Sequence, residues 1–129
     1  MNQEKVQTSW DEANQIASFK LTGEFDDEHA TQAVQKYRDM LDDLEEKDIV
    51  LRRVIYNITE AGDATAEAKR IFASFAKSIG DKYKTVKVAY IGGNKLATLV
   101  SVFIHKISGV GEAKFFANEE DARKWLLQD

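Results

Sequence analysis

The sequence predicts an α/β domain built on a mixed, mostly parallel sheet, with the element order β-β-α-β-α-β-α-β-α. Three observations carry this expectation. Strand-like and helix-like segments alternate along most of the chain, and strands joined through helices lie parallel with right-handed crossovers. The first two strand-like runs follow one another directly, as a hairpin that adds one antiparallel strand. No proline occurs and no Gly/Ser-rich stretch divides the chain, so its 129 residues read as one domain spanning 1–129.

The hairpin joins Val6–Trp10 to Ile16–Thr22, where Ala17, Phe19 and Leu21 alternate with Ser18 and Lys20 in the period of a half-buried strand. Gly23 is expected to end that strand. Asp26-Asp27-Glu28 supplies a cap and first-turn acids for a helix with Ala30, Val34, Tyr37, Leu41 and Leu44 on one stripe, ending near Lys47. The β-branched run Ile49–Ile58 predicts a strand buried on both faces, interrupted by Arg52-Arg53. Asp63 or Thr65 caps the next helix, whose stripe Ala68, Ile71, Phe72, Phe75, Ala76 and Ile79 is the strongest helical signal, with Gly80 as its stop. Val86–Ile91 predicts a strand, Gly92-Gly93 a turn, and Leu96–Ile107 a helix capped by Asn94. Ala113–Phe116 reads as a short last strand. Asn118 and three following acids open a closing helix that packs Ala122, Trp125 and Leu126, with Trp125 expected to be largely buried.

Composition narrows the function. A hydrophobic fraction of 43% is that of a globular chain and sets disorder aside. The absence of cysteine removes disulfides, thiolate metal sites and cysteine nucleophiles. A net charge of −4 argues against nucleic acid as a partner, because phosphate neutralisation needs a basic excess. Arg52-Arg53 and the Lys82, Lys84, Lys87 group are the basic clusters, and they read as a solvated strand edge and loop. The apolar run Leu96–Ile104 falls far below the ~20 residues of a membrane-crossing helix. The polar start Met1–Lys5 lacks the apolar core of a signal peptide, so the expected location is the cytoplasm.

Strand-to-helix turns are where such folds bind ligands, because helix N-termini present free N–H groups. The turn Ile91-Gly92-Gly93-Asn94-Lys95 has neither dinucleotide nor P-loop spacing, and reads as a tight turn or an anion site. The segment Asn57–Thr65, between the central strand and the most apolar helix, carries hydroxyls at Thr59 and Thr65 beside Gly62. These hydroxyls read as helix caps or as phosphoacceptors, since a phosphate there adds close to two negative charges at a helix start. His29 and His105 share no metal-ligand spacing, and His105 suits the last turn of its helix. The paired acids lie on different faces of their helices and read as solvated. No catalytic set, metal site or cofactor site is therefore expected. The segment 96–107 places Leu96, Leu99, Val100, Phe103, Ile104 and Ile107 on one arc, and Val102 lies off it. This wide apolar face fits either a buried helix or a surface for a partner or ligand.

Three features together carry a resemblance. They are the strand end Leu21-Thr22-Gly23 before an acid-rich helix, the strand-turn-helix of residues 57–70, and the tail Phe115-Phe116-x-x-Glu119-Glu120-x-Ala122-x-x-Trp125-Leu126. The pattern resembles the STAS domains of sulfate transporters and anti-sigma factor antagonists, and more closely the stand-alone bacterial STAS-like proteins. The resemblance implies a β/α superhelix without enzymatic activity, acting in signal transduction through protein partners or self-association and sometimes switched by phosphorylation. In the antagonists the phosphoacceptor is a serine in Asp-x-Ser-Gly-x-Gly at the start of the second helix. Spacing matches it to Asn57-Ile58-Thr59, with asparagine for the acid, threonine for serine and no Gly-x-Gly. Thr59 is thus the position carried over, with Gly62 and Thr65 as its neighbours. A second reading, similar to the lipid-binding CRAL-TRIO domains, is a carrier of a small apolar ligand. It uses the face formed by Leu99, Val102 and Phe103, with Ser101 and His105 at its rim.

Overall fold

The computed structural model describes residues 5–82, 86–92 and 112–128. Five strands form one sheet in the order β1-β2-β3-β4-β5: β1 (Val6–Asp11), β2 (Ile16–Phe25), β3 (Arg53–Ala64), β4 (Lys87–Ile91) and β5 (Glu112–Phe116). β1 pairs antiparallel with β2, and every later neighbour is parallel. Among the described residues the helices are α1 (Asp27–Glu46), α2 (Ala66–Lys82) and the closing α3 (Glu119–Leu126). The mixed, mostly parallel α/β architecture is the one the sequence predicts. The expected helix at 96–107 lies outside the described residues, and with it Leu99, Ser101, Val102, Phe103 and His105.

Local chemistry sets the helix starts. The Asp26 carboxylate accepts from the His29 N–H at 2.9 Å, and the Asn118 side-chain oxygen accepts from the Asp121 N–H at 2.9 Å. The Thr65 hydroxyl accepts from the Ala68 N–H at 3.1 Å, which settles the cap of α2 on Thr65 rather than Asp63. α2 continues through Gly80, because a glycine inside a packed helix weakens it without ending it.

The sheet is covered on both faces. One face buries Phe19, Val54, Val88 and Tyr90 against Tyr37, Leu41 and Leu44 of α1 and Phe72 and Phe75 of α2. The other buries Ile16, Ile55, Ala89 and Ile91 against Ala122 and Leu126 of α3. β3 contributes to both faces, as its continuous apolar run requires.

Two further features depart from expectation. Arg53 and Lys87, read from sequence as a solvated edge and loop, hold the end of α3. Arg53 donates to the Leu126 carbonyl at 2.9 Å and to the Asn14 carbonyl at 3.0 Å. Lys87 donates to the carbonyls of Trp125 at 3.3 Å and Gln128 at 3.1 Å, and its ammonium lies 4.8 Å from the Trp125 ring centre. Cations here satisfy carbonyls that a helix C-terminus leaves without partners. Trp125 is half-buried rather than largely buried, because Phe116 and Lys87 cover it while Leu126 takes the position beneath the helix.

Candidate functional site

The segment expected to be a turn before α2 is a strand. β3 keeps step with β4 only as far as Asn57, opposite Ile91, and then runs on beside β2 until Ala64 lies opposite Phe25. Along this ribbon β3 carries an extra residue between the pairs Lys20–Asn57 and Thr22–Glu60, and another between Gly23–Ala61 and Phe25–Ala64. Such bulges bend a strand and raise its twist. Gly23 does not end β2; it stays within the strand at φ +81°.

Thr59 therefore stands at the first bulge, exposed, and not at a helix start. Its N–H donates to the Asn57 side-chain oxygen at 3.1 Å. Gly92 closes against it: a Cβ at Gly92 would lie 2.9 Å from the Thr59 hydroxyl, and Gly92 sits at φ +54°. The Gly92 N–H donates to the Phe116 carbonyl at 2.8 Å. The ends of β4 and β5 thus meet the first bulge of β3 at one place, at the carboxyl edge of β4 and β5, the side on which open α/β sheets bind ligands. Glu60, next along, is paired with Lys20 at 3.0 Å.

Thr65 occupies the position at which Thr59 was expected, the start of the second helix. The two threonines are six residues apart along extended chain, up to roughly 20 Å at about 3.3 Å per residue, and the structure does not bring them together. Gly62 lies between them at the second bulge, half-buried, with the Glu24 stem 3.4 Å from where its Cβ would be. The Thr65 N–H donates to the Phe25 carbonyl at 3.0 Å, and Phe25 precedes the α1 cap Asp26. That bond sets the starts of α1 and α2 side by side. Between them runs a groove of about 370 Å³ whose walls include Lys5, Asp26, His29, Asp63 and Thr65.

Charge in this groove is mixed. The His29 backbone N–H, with the His29 ring behind it, holds the Asp26 carboxyl below the usual carboxylate range. The His29 Nδ1 lies 2.8 Å from Asp26, and both side chains are exposed, so the pair is not the buried carboxylate–histidine couple of an acid–base catalyst. Lys5 donates to the Glu24 carbonyl at 2.6 Å and stands 5.6 Å from the Phe25 ring centre. Among the described residues no group of three or more His, Asp or Glu is placed to hold a metal ion. Among them, too, no helix is long and apolar enough to cross a membrane.

Sequence reasoning missed that Asp26 and Thr65 line one groove. Each cap was legible alone; their adjacency depends on the β2–β3 ribbon, which polar Thr59, Glu60 and Asp63 disguised as a loop.

Comparison with known proteins bears on this geometry. The SpoIIAA-like family model matches residues 16–127. A crystal structure of an uncharacterised protein of the DUF3478 family, with a SpoIIAA-like fold, from Shewanella loihica PV-4 is similar at 23% identity, with 94% of this chain and 91% of that chain covered and a TM-score of 0.67. The anti-sigma factor antagonist SpoIIAA in its unphosphorylated form is similar at 15% identity, covering 94% of this chain and 96% of that one, with a TM-score of 0.58. No curated protein matches the chain. The two structures share the fold, and the family match runs from the second strand through the closing helix: the chain belongs to the SpoIIAA-like family.

Proposed function

We propose that this chain is a non-enzymatic, cytoplasmic regulatory domain that works through contact with a protein partner or a second copy of itself, with Thr65 as its switchable hydroxyl. The observation that carries the reading is the place of Thr65. It is an exposed hydroxyl that opens α2, and the second helix start is where the resemblance to anti-sigma factor antagonists puts the phosphoacceptor. The fold shared with SpoIIAA supports the choice of class. Thr59, matched by spacing alone, lies on a bulged strand with its hydroxyl against Gly92 and is the weaker position.

The chemistry of a switch at Thr65 is local. A phosphate brings close to two negative charges and oxygens able to accept from the α2 N–H groups. It also meets Asp26 and Asp63 across the groove, with Lys5 and His29 as the nearby bases. Modification therefore changes the charge of the surface shared by both helix starts while leaving the helix capped.

Asparagine and aspartate test this cleanly, since both cap a helix well and differ only in charge. Partners are captured from a bacterial lysate with the parent, Thr65→Asn, Thr65→Asp and Thr59→Glu, and self-association is followed by sedimentation. The expected result is that Thr65→Asn and Thr59→Glu keep the association and Thr65→Asp loses it at least tenfold. Equal behaviour of Thr65→Asn and Thr65→Asp overturns the assignment of Thr65.

A further inference from the structure

β1 stands at one edge of the sheet, with β2 as its neighbour. The pairing with β2 runs without a bulge from Val6 to Asp11, and the Lys5 carbonyl accepts from the Thr22 N–H at 2.9 Å. In an antiparallel ladder, alternate residues exchange both backbone bonds with the neighbour. The backbone groups of Lys5, Gln7, Ser9 and Asp11 therefore face β2, and those of Val6, Thr8 and Trp10 turn outward. The Val6 carbonyl accepts from the Lys36 ammonium at 3.3 Å. Among the described residues nothing takes the outward groups of Thr8 and Trp10.

Edge strands are commonly blunted by lysine, proline or a bulge, because an open edge is a template for another strand. β1 has none of the three. Its single charge, Asp11, is held by Arg123 at 2.7 Å. Gln7, Thr8 and Ser9 are exposed, and a groove of about 840 Å³ opens beside them. At the opposite edge β5 carries two charges, Glu112 and Lys114.

We propose that β1 pairs with β1 of a second copy, antiparallel about a twofold axis at Thr8, so that the two sheets become one. The strand complements itself in this register. Val6 of each copy comes opposite Trp10 of the other, a β-branched residue against an aromatic, which is a favourable cross-strand pair. Gln7 comes opposite Ser9, and Thr8 opposite Thr8. Lys5 comes opposite Asp11, so no like charges meet. All three outward-facing residues find a partner; a shift of two residues in either direction sets Val6 or Trp10 beyond the end of the other strand. The pairing goes beyond the assignment of Thr65 and does not rest on it. A charge at Thr65 leaves the outward groups of β1 untouched, so Thr65→Asp keeps the edge dimer whatever other association it loses.

The chain has no cysteine, so an introduced one reports alone. Thr8→Cys brings two thiols together on the axis, across a pair whose Cα atoms lie about 5.5 Å apart, within disulfide reach. In Gln7→Cys and Ser9→Cys the like thiols stand two residues out of step, about 8 Å apart at Cα and beyond that reach. With diamide as oxidant, Thr8→Cys is expected to cross-link at least tenfold faster than either. A mixture of Gln7→Cys and Ser9→Cys should likewise cross-link at least tenfold faster than each alone. The parent is expected to sediment as a dimer. Thr8→Pro removes only an outward N–H, which an edge strand tolerates, so it should keep the fold by circular dichroism and weaken the dimer at least tenfold. Should it fail to fold, Thr8→Lys decides, because it sets like charges across the axis. A monomeric parent overturns the proposal, as does an undiminished dimer in the folded variant. Equal cross-linking at positions 7, 8 and 9 overturns the register. A Thr65→Asp chain that sediments as a monomer moves the contact to the groove at Thr65 and overturns the edge.

Discussion

Replacing Gly92 by alanine probes the contact that holds the ends of β4 and β5 against the first bulge of β3. Two separate costs follow from the geometry. Gly92 sits at φ +54°, where a residue with a Cβ loses about 1–2 kcal/mol to backbone crowding. The new methyl also falls 2.9 Å from the Thr59 hydroxyl, closer than unbonded atoms allow, while the Thr59 Cβ and Cα at 3.7 and 3.8 Å are at ordinary contact. Thr59 is exposed and β-branched, so it escapes by leaving its preferred rotamer, at about 1 kcal/mol. Gly92→Ala should then destabilise the fold by about 2–3 kcal/mol. With Thr59→Ala already present the clash is gone and only the backbone cost remains, about 1–2 kcal/mol. Thr59→Ala alone, at an exposed site, should cost no more than about 0.5 kcal/mol. Urea unfolding of the parent, both single variants and the double variant gives the coupling directly. A coupling of about 1 kcal/mol is expected. Equal costs of Gly92→Ala in the two backgrounds refute the contact with Thr59, and no cost in either refutes the left-handed turn.

Two further perturbations test other parts of the structure. Phe75, 3% exposed and packed on Tyr37, should leave a cavity as alanine and cost about 3–5 kcal/mol in chemical denaturation. Asp11 is held at about 2, mainly by its hydrogen bond from Arg123 and then by those from Asn14. Its folded value lies below its unfolded value, so its contribution is present above about pH 4 and is lost as pH falls towards 2. Asp11→Asn should therefore flatten the pH dependence of unfolding between pH 4 and 2 relative to the parent. An unchanged slope in that window counts against the Asp11–Arg123 link between the hairpin and α3.

Much of the fold was legible because its signals are local. The caps at Asp26 and Asn118 and the stripe from Ala30 to Leu44 are each complete within a few turns of chain, and the structure places them where the sequence does. The misread positions all depend on something distant. Glu60–Ala64 is a strand because β2, some forty residues earlier, offers it a partner; its own residues favour a turn. Arg53 and Lys87 look like solvated charges until the end of α3 is set against them. Thr65 was visible as a cap, but its place beside Asp26 was not, and Thr59 lies on a bulged strand rather than at a helix start because spacing along a sequence takes no account of bulges. The aromatics Phe19, Tyr56, Tyr90 and Phe115, side by side across the sheet, were hidden for a similar reason: they are spread from residue 19 to residue 115, and only strand register aligns them.

The strands stand in the sheet in the order in which they occur in the chain. Folds that start with a central strand must leave both its edges waiting for later sequence. Here each strand emerging from a ribosome finds its earlier neighbour already synthesised, and the sheet grows by accretion from one side. At every stage only one advancing edge is unfinished, and that edge moves from β2 to β5 as synthesis proceeds. Pairing with a foreign strand is the hazard of such an edge. On the growing side each parallel neighbour removes it by covering the strand before, while the outer edge of β1 stays an edge from the start.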